Sequence, residues 1–313
     1  MGVVVNVLLA IIALIALSAV ITAYLASGAR RTVPKRGKMT KVKGGNIHWV
    51  ESGKGRPIVM VHGLGGSLMN FTYALTEHLD DEFRVIAIDR PGCGWSERDS
   101  AAQATLPEQA RMISEFIAAE GLENPIVVGH SLGGAIAITM GLNHPDGLGG
   151  LALICPVTQP IENTPDAFKG IDIPSPGMRR FIAHTISGPA GLLTQAKVFG
   201  EVFKPEPVSA DFGPKGGATL GRTPKSFIAA SEDIAGSRQS QSEMTGREAE
   251  LKIPTAILYA ESDNILDHKL HGEHYASLSG AELKTIPGRG HMIPLTAPVE
   301  CAAFIREMAA KTA

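Results

Sequence analysis

The chain has 313 residues, 44% of them hydrophobic, and this composition can bury a substantial core, which excludes a disordered chain. Its formal net charge is only −2, but residues 1–45 contain seven basic residues and no acidic one. Residues 46–313 therefore carry 22 basic against 31 acidic residues, a net charge of −9, and we expect no nucleic-acid partner. Cys93, Cys155 and Cys301 are too widely spaced to predict a disulfide framework or a C-x-x-C metal pair, and this usage is typical of a reducing compartment.

The amino-terminal residues 3–25 form an uncharged, mostly apolar run of 23 residues. As a helix this run would be roughly 34 Å long, enough to cross a bilayer core of about 30 Å. We therefore predict a transmembrane anchor over residues 1–28, followed by a basic linker over residues 29–45. A cleaved signal peptide is the alternative, since the stretch AYLASGA offers small residues near a possible cleavage site, but no basic segment precedes the run.

The seven positive charges of this region all follow the apolar run. The positive-inside rule then places the carboxyl-terminal domain in the cytoplasm. The predicted location is the cell (inner) membrane, crossed once by the N-terminal helix. If the segment is instead a cleaved signal, the domain would be secreted or periplasmic.

After the linker, apolar runs alternate with helical patterns, which predicts an α/β fold. The stretch NIHWVESG is typical of an edge strand, whereas the apolar runs at 57–63 and 84–89 are typical of strands buried on both faces of a parallel sheet. Helical patterns cover residues 67–79 and 105–120. Further strands are predicted at residues 125–130, 150–155, 254–260 and 281–287.

One segment interrupts this alternation. Residues 156–222 are rich in Pro and Gly, contain no convincing strand and are too long for a simple loop. We therefore predict a small helical cap there, with residues 46–155 and 223–313 forming the core and residues 223–234 forming a helix that leads back to the sheet. We expect most large apolar residues of the cap to form its own small core and some to line an apolar pocket. These residues are Phe168, Met178, Phe181, Leu192, Leu193, Phe199, Phe203 and Phe212.

The stretch PIVVGHSLGG holds a G-x-S-x-G motif, Gly129 to Gly133, between a predicted strand and a predicted helix that starts near Leu132. This is the context of a nucleophile elbow, a strand-to-helix turn so sharp that small residues must flank the serine. Ser131 is therefore a candidate nucleophile, and the helix N-terminus would supply positive potential for an oxyanion. The pentapeptide alone is equally compatible with an ordinary turn that contains a serine.

A serine nucleophile needs a base and an acid that orients the base. Asp263 and His291 each lie just after a predicted strand, at the same sheet edge as Ser131 and in the chain order Ser, Asp, His. Asp267 is the alternative acid. Asp263 is favoured because it lies nearer to the strand end.

The glycine-rich stretch HGLGG (62–66) follows another predicted strand at this edge. Its loop can present the backbone N–H of Leu64 to an oxyanion, beside the N–H of Leu132. His62 and His130 flank the proposed site, and we interpret both as structural hydrogen-bonding residues.

No metal or cofactor site is predicted. His268, His271 and His274 are spaced i, i+3, i+6, so on a helix they would fan across the surface rather than converge, and an exposed helix is favoured over a metal site. The stretch DRPGCGWS (89–96) is predicted to shape the loop after its strand. Cys93 within it has no partner for a catalytic role.

Jointly, the motifs HGLGG, DRPGCGWS and GHSLGG, the strand-terminal Asp263 and the late GRGH resemble the α/β-hydrolase fold superfamily, in particular its carboxylesterase-like and lipase-like serine hydrolases. The resemblance covers residues 45–310. It implies an eight-stranded, mostly parallel sheet with helices on both faces and a helical cap inserted after the sixth core strand. Haloalkane dehalogenases and epoxide hydrolases of this superfamily use an aspartate nucleophile where this sequence has Ser131, which argues against those two chemistries.

The predicted function is a serine hydrolase that cleaves small-molecule carboxylic esters of hydrophobic or lipid-like character through an acyl-enzyme on Ser131. His291 would take the serine proton, Asp263 would orient the imidazole, and the N–H groups of Leu64 and Leu132 would receive the oxyanion. One alternative is another chemistry on the same residues: a C–C bond hydrolase, a perhydrolase or haloperoxidase-like enzyme, or an acyltransferase. The other is a catalytically silent, membrane-bound binding protein.

Overall fold

The computed structural model describes residues 2–312, in which eight strands form one continuous row. In chain order they are β1 (Lys38–Val42), β2 (Gly45–Ser52), β3 (Arg56–Val61), β4 (Phe83–Ile88), β5 (Ile126–His130), β6 (Gly150–Ile154), β7 (Thr255–Ala260) and β8 (Glu282–Ile286). Their spatial order is β1-β2-β4-β3-β5-β6-β7-β8, with the pairs β1–β2 and β2–β4 antiparallel and the others parallel. The two-residue strand Glu97–Arg98 pairs with β2 outside this row. The predicted eight-stranded, mostly parallel sheet is confirmed.

The helices flank this sheet. In chain order they are α1 (Gly2–Thr32), α2 (Met69–Thr72), α3 (Leu106–Ala119), α4 (Leu132–Asn143), α5 (Pro176–Thr185), α6 (Ser187–Phe203), α7 (Phe212–Lys215), α8 (Pro224–Ser240), α9 (Tyr275–Ser279), α10 (Ile293–Thr296) and α11 (Pro298–Lys311). Every residue of β5 and β6 is buried. Because successive side chains of a strand point to opposite faces, both faces of the sheet are covered at these strands.

The sheet begins earlier in the chain than predicted. The predicted basic linker over residues 29–45 is wrong, because it contains the end of α1 and the whole of β1. NIHWVESG is not an edge strand either, since β2 lies between β1 and β4. The lysine-rich β1 is the edge, and Trp49 of β2 holds it by donating its indole N–H to the Thr40 hydroxyl at 2.9 Å. This cross-strand contact has no local sequence signal.

The insertion between β6 and β7 is helical and follows the sixth strand of the row. Two N-caps begin its helices: the Ser175 hydroxyl accepts the N–H of Met178 at α5, and the Thr223 hydroxyl accepts the N–H of Ser226 at α8. Helix α8 corresponds to the predicted return helix and extends to Ser240. The helix therefore runs six residues past the predicted end.

The large apolar residues of the cap divide into three groups. Phe199, Phe203 and Phe212 form a small cluster of edge-to-face rings. Phe168 lines a cavity next to Ser131. The remaining four are exposed, so the expectation that most of the eight pack into a cap core is wrong for these: Met178, Phe181, Leu192 and Leu193.

Helix α1 is the one helix within residues 2–312 that is long and apolar enough to cross a membrane. It is not separate from the domain, because its second half packs against α5 and α6. Thr22, Ala26 and Ala29 of this half are buried, and the Thr22 hydroxyl donates to the Thr185 carbonyl at the end of α5. The carboxyl-terminal half of α1 is thus part of the folded body.

We predict that Gly133→Ala destabilises the fold. A Cβ at Gly133 would lie 2.0 Å from the Val61 carbonyl oxygen and 2.7 Å from that of His62, so α4 would have to move away from β3. Overpacking of this kind costs about 1–3 kcal/mol or more. Unfolding by urea, followed by circular dichroism, should show a lower midpoint.

The matched control is Gly191→Ala in α6, where an added Cβ meets nothing within 4 Å. A helix-interior Gly→Ala change with free space stabilises by roughly 0.5–1 kcal/mol. Equal midpoints for the two variants would contradict the close packing of α4 on β3.

Candidate active site

Ser131 lies at the sharp turn between β5 and α4. Its backbone has φ 55° and ψ −121°, a conformation that residues with a side chain rarely adopt. Gly129 and Gly133 make the turn possible, since a Cβ at Gly129 would lie 2.6 Å from the Gly133 carbonyl oxygen. The turn therefore holds the serine in a strained backbone conformation, as the elbow motif predicts.

Asp263 and His291 meet beyond the ends of β7 and β8. His291 Nδ1 and Asp263 Oδ2 are 2.7 Å apart, and the other carboxylate oxygen accepts the N–H groups of Ile265 and Leu266 at 2.8 and 3.0 Å. Burial alone would raise the pKa of Asp263, but the His291 charge and these hydrogen bonds outweigh it and hold the pKa below its ordinary value. The rival Asp267 is exposed and accepts the N–H of Lys269 instead.

His130 connects the serine turn to His291. Its Nε2 lies 3.0 Å from the His291 carbonyl oxygen, and the two rings are 4.9 Å apart between centroids. Within residues 2–312 the Ser131 hydroxyl has no hydrogen-bond partner. Nucleophile–base hydrogen bonds are often long or unformed in a free enzyme and tighten in the substrate complex.

The loop after β3 is held by Arg90. The Arg90 side chain donates to the carbonyl oxygens of His62 at 2.8 Å and Gly63 at 3.1 Å, and its backbone N–H donates to His62 Nε2 at 3.0 Å. His62 Nδ1 is then the donor to the Gly63 carbonyl at 2.8 Å. Burial lowers the pKa of His62 to about 4, so this ring is neutral and structural, as predicted.

Arg90 is itself fixed by Asp233 of α8. The two form a fully buried salt bridge at 2.8 Å, and Arg98 donates to the same carboxylate at 2.6 Å. Burial would raise the pKa of Asp233, but the charges of Arg90 and Arg98 keep it below its ordinary value. Sequence reasoning missed both Arg90 and Asp233. The available signal was a charged residue directly after a buried strand, in DRPG.

Asp89 joins the same loop to the stretch 89–96. One carboxylate oxygen accepts the N–H of Leu68 at 2.8 Å, and the other accepts the N–H of Trp95 at 2.8 Å and lies 2.8 Å from His48 Nδ1. Burial opposes ionisation, but these hydrogen bonds lower the pKa of Asp89. The stretch thus shapes its loop through Asp89.

A cavity of about 70 Å³ borders Ser131. Its walls come from the loop after β3, the start of α4, the cap and α8, and most of them are apolar. The lining residues are Leu64, Ser131, Leu132, Val157, Ile161, Thr164, Pro165, Phe168, Asp233, Ile234, Ser237, Arg238, Gln241, Ile265 and Leu266. Ser131 and both residues of the predicted oxyanion hole therefore border one apolar space.

Two further histidines are structural. Burial lowers the pKa of His130 to about 3 and that of His271 to about 4. The expectation of an exposed helix for His268, His271 and His274 is wrong for His271, whose Nδ1 accepts the N–H of Thr158 at 3.2 Å. The turn Lys269–His274 is a π-helix, which changes the spacing of its side chains.

Cys155 is a neighbour of the acid that sequence reasoning missed. Ligand atoms of Cys155, Asp263 and His291 lie within 4.8 Å of one another, the one such group of potential metal ligands in residues 2–312. Burial and the Asp263 charge raise the pKa of the Cys155 thiol well above its ordinary value. A protonated thiol beside an already hydrogen-bonded carboxylate is a poor metal site, because metals bind the thiolate.

The chain is similar to known proteins at modest sequence identity. Haloalkane dehalogenase 2 of Mycobacterium tuberculosis is 36% identical over 110 residues, 35% of this chain and 38% of the dehalogenase. A 2-hydroxy-6-oxononadienedioate/2-hydroxy-6-oxononatrienedioate hydrolase of Comamonas testosteroni is 26% identical over 261 residues, 78% of this chain and 84% of that hydrolase. In the curated relatives matched over 110 to 117 residues, this chain spans only 31–40% of the relative's length.

Among solved structures, a membrane phospholipase A described as a bacterial virulence factor superposes with a TM-score of 0.68 at 21% identity. The superposition covers 99% of this chain and 97% of the phospholipase. A family model described as the alpha/beta hydrolase fold matches residues 56–298, well over half of the sequence. The chain belongs to the alpha/beta hydrolase fold family.

Proposed function

We propose that this hydrolase cleaves carboxylic esters of hydrophobic, lipid-like substrates, with Ser131 as nucleophile, His291 as base and Asp263 as orienting acid. The observation that carries the proposal is a strained serine that borders an apolar cavity, while the residue before it, His130, contacts His291 of the buried Asp–His pair. An ordinary turn serine has no need of this backbone strain or of these neighbours.

In the proposed reaction, His291 Nε2 takes the Ser131 hydroxyl proton while the serine oxygen attacks the ester carbonyl carbon. The tetrahedral intermediate collapses, and the imidazolium returns the proton to the departing alcohol. A water molecule, deprotonated by the same ring, then releases the acid from the acyl-enzyme. Asp263 remains ionised throughout, because its pKa lies below the ordinary range.

The oxyanion hole is proposed from the N–H groups of Leu64 and Leu132. Leu132 is the first residue of α4, so its N–H has no acceptor within the helix. The N–H of Leu64 belongs to the peptide whose carbonyl, that of Gly63, is bound by Arg90. In a trans peptide the N–H points opposite to the carbonyl, so Arg90 turns the Leu64 N–H away from the interior.

The cavity favours an uncharged acyl chain. Within residues 2–312, the one arginine that lines the cavity is Arg238, which is already paired with Asp172 at 2.8 Å. The charge of Asp233, which also lines the cavity, is compensated by Arg90 and Arg98. A dicarboxylate such as a dienedioate would find no free cation there, although the relative from Comamonas testosteroni keeps C–C bond hydrolysis as the second candidate. The dehalogenase chemistry is disfavoured because Ser131 replaces the aspartate.

We also propose that α1 anchors the enzyme in the cell membrane, with the domain on the cytoplasmic side. Its length exceeds the roughly 20 residues that a span requires, and Arg30 and Arg31 in its last turn follow the apolar run. The structure of a membrane phospholipase A that matches α1 as well as the domain supports this assignment. A cleaved signal peptide is the alternative.

Substitution of Ser131 by alanine is expected to lower the turnover of a short-chain nitrophenyl ester by roughly 10⁴–10⁶-fold and to abolish labelling by a fluorophosphonate probe. Ser114→Ala, at a serine of α3 whose hydroxyl has no partner in residues 2–312, is the matched control and should retain both. If the Ser131→Ala variant retains ester turnover, the proposed mechanism is contradicted.

Asp263→Asn and Asp267→Asn separate the two candidate acids. The first should reduce kcat by roughly 10⁴-fold, because an amide leaves the imidazole in the wrong tautomer. The second removes only a turn contact at an exposed position and should change kcat little. The reverse order of effects in a nitrophenyl ester assay would reassign the acid to Asp267.

Arg90→Lys tests the oxyanion loop. A lysine keeps the charge beside Asp233, but its single ammonium lacks the planar fork that binds two carbonyls and a carboxylate together. Loss of one oriented oxyanion donor should lower kcat by about 10²–10³-fold with little change in KM. A raised KM with unchanged kcat, in a variant with wild-type circular dichroism, would show that Arg90 shapes substrate binding instead.

A further inference from the structure

Polar contacts and close packing attach the cap to α1. The hydroxyls of Ser18 and Thr22 both donate to the carbonyl oxygen of Thr185, at 2.7 and 2.8 Å. Thr185 ends α5, where carbonyl groups have no partner within the helix. Gly188 then packs so closely that an added Cβ would lie 2.8 Å from Thr22 Cα. The corner between α5 and α6 is therefore fixed to α1 at these two residues.

This attachment lies inside the apolar run of α1. Along the helix axis, Ser18 lies about 10 Å before Leu25, where the apolar run ends. It lies about 18 Å before Arg30, the first charged residue. From Val3 to Ser18 the helix is only about 22 Å long, shorter than a hydrocarbon core of about 30 Å. A bilayer that accommodates the whole run therefore also reaches the α5–α6 corner.

The surface of this corner is apolar. Residues 181–196 contain no Asp, Glu, Lys or Arg. Leu193 of α6 is 86% exposed, and the other exposed large apolar residues of α5, α6 and the residue between them are Met178, Phe181, Ile186 and Leu192. Outside α1 and the cap, the exposed large apolar residues of the described chain lie on three separate elements: Leu270, Leu278 and Val299. A grouped patch of this kind marks an interaction surface, whereas scattered residues do not.

We infer that the α5–α6 corner is a second membrane-contacting element, which inserts its apolar side chains between the headgroups and acyl chains of the leaflet where α1 leaves the bilayer. The occupant of this surface is lipid, since the patch continues the apolar surface of α1 at the same depth. The inference rests on the proposed anchor and esterase function. The turn Asp166–Ile171, which carries Phe168 of the cavity wall, packs on α6. The corner therefore adjoins an element of the cavity wall, and we expect a lipid-like ester to enter the cavity from this side.

The first test measures depth with full-length protein in vesicles of phosphatidylcholine and phosphatidylglycerol. An environment-sensitive NBD probe is attached at Leu193→Cys or, as control, at Leu278→Cys on α9, which is also exposed. The native cysteines are at most 4% exposed, and unmodified protein controls for their labelling. We expect blue-shifted emission, quenched by acyl-chain spin labels, at Leu193 only. Water-like emission at Leu193, quenched by aqueous iodide, would overturn the inference.

The second test is kinetic. Leu193→Asp should raise the KM for a nitrophenyl ester of a long fatty acid embedded in the same vesicles by about tenfold, because insertion of an apolar side chain is lost. The KM for a soluble short-chain ester should not change, and Leu278→Asp should change neither. Equal KM values for Leu193→Asp and wild type in vesicles would contradict the inference.

These two tests distinguish a failure of the inference from a failure of the proposed anchor or of the proposed esterase function. Wild-type protein that hydrolyses no ester refutes the esterase proposal, while the NBD emission still decides the insertion of the cap. Wild-type protein that lacks residues 1–28 after expression and fails to float with vesicles refutes the anchor, and the cap insertion with it.

Discussion

The buried salt bridge between Arg90 and Asp233 joins the parts of the molecule that the proposed chemistry needs. Arg90 follows β4, binds the carbonyls of the loop after β3, and meets a carboxylate on the helix that returns from the cap. Removal of one partner from a buried pair costs about 3–5 kcal/mol, because the other charge is left without compensation. The shape of the loop beside Ser131 therefore depends on the position of α8 and, through α8, on the position of the cap.

The sequence predicts those parts of the site that depend on local order along the chain. The small residues around Ser131 and the ends of β5, β7 and β8 are enough to place serine, aspartate and histidine at one sheet edge, because parallel strands bring their carboxyl ends together. The preference for Asp263 over Asp267 follows from the same rule. Asp263 lies shortly after the end of β7 and pairs with His291, whereas Asp267 is exposed at the start of the next turn.

The remaining features depend on partners that are distant in the chain. Asp233 is 143 positions beyond Arg90, and each alone reads as an ordinary charged residue. The edge strand β1 looked like a linker because its stabilising contact is made by Trp49. His271 looked exposed because a π-helix changes the helical spacing on which the prediction relied. Apart from the charged residue directly after a buried strand in DRPG, none of these features has a pattern within a short window of sequence.

The same contacts oppose a movement of the cap as a hinged lid. Helix α5 is bound to α1 through Thr185 and to α8 through Arg179, which donates to the Ser231 hydroxyl at 2.9 Å. A rigid swing of the cap would leave these polar groups unpaired, at about 1–3 kcal/mol for each buried group. Since α8 also carries Asp233, the contacts that hold the cap on α1 continue to Arg90 and to the carbonyls of His62 and Gly63. A continuous series of contacts therefore links α1 to the loop beside Ser131.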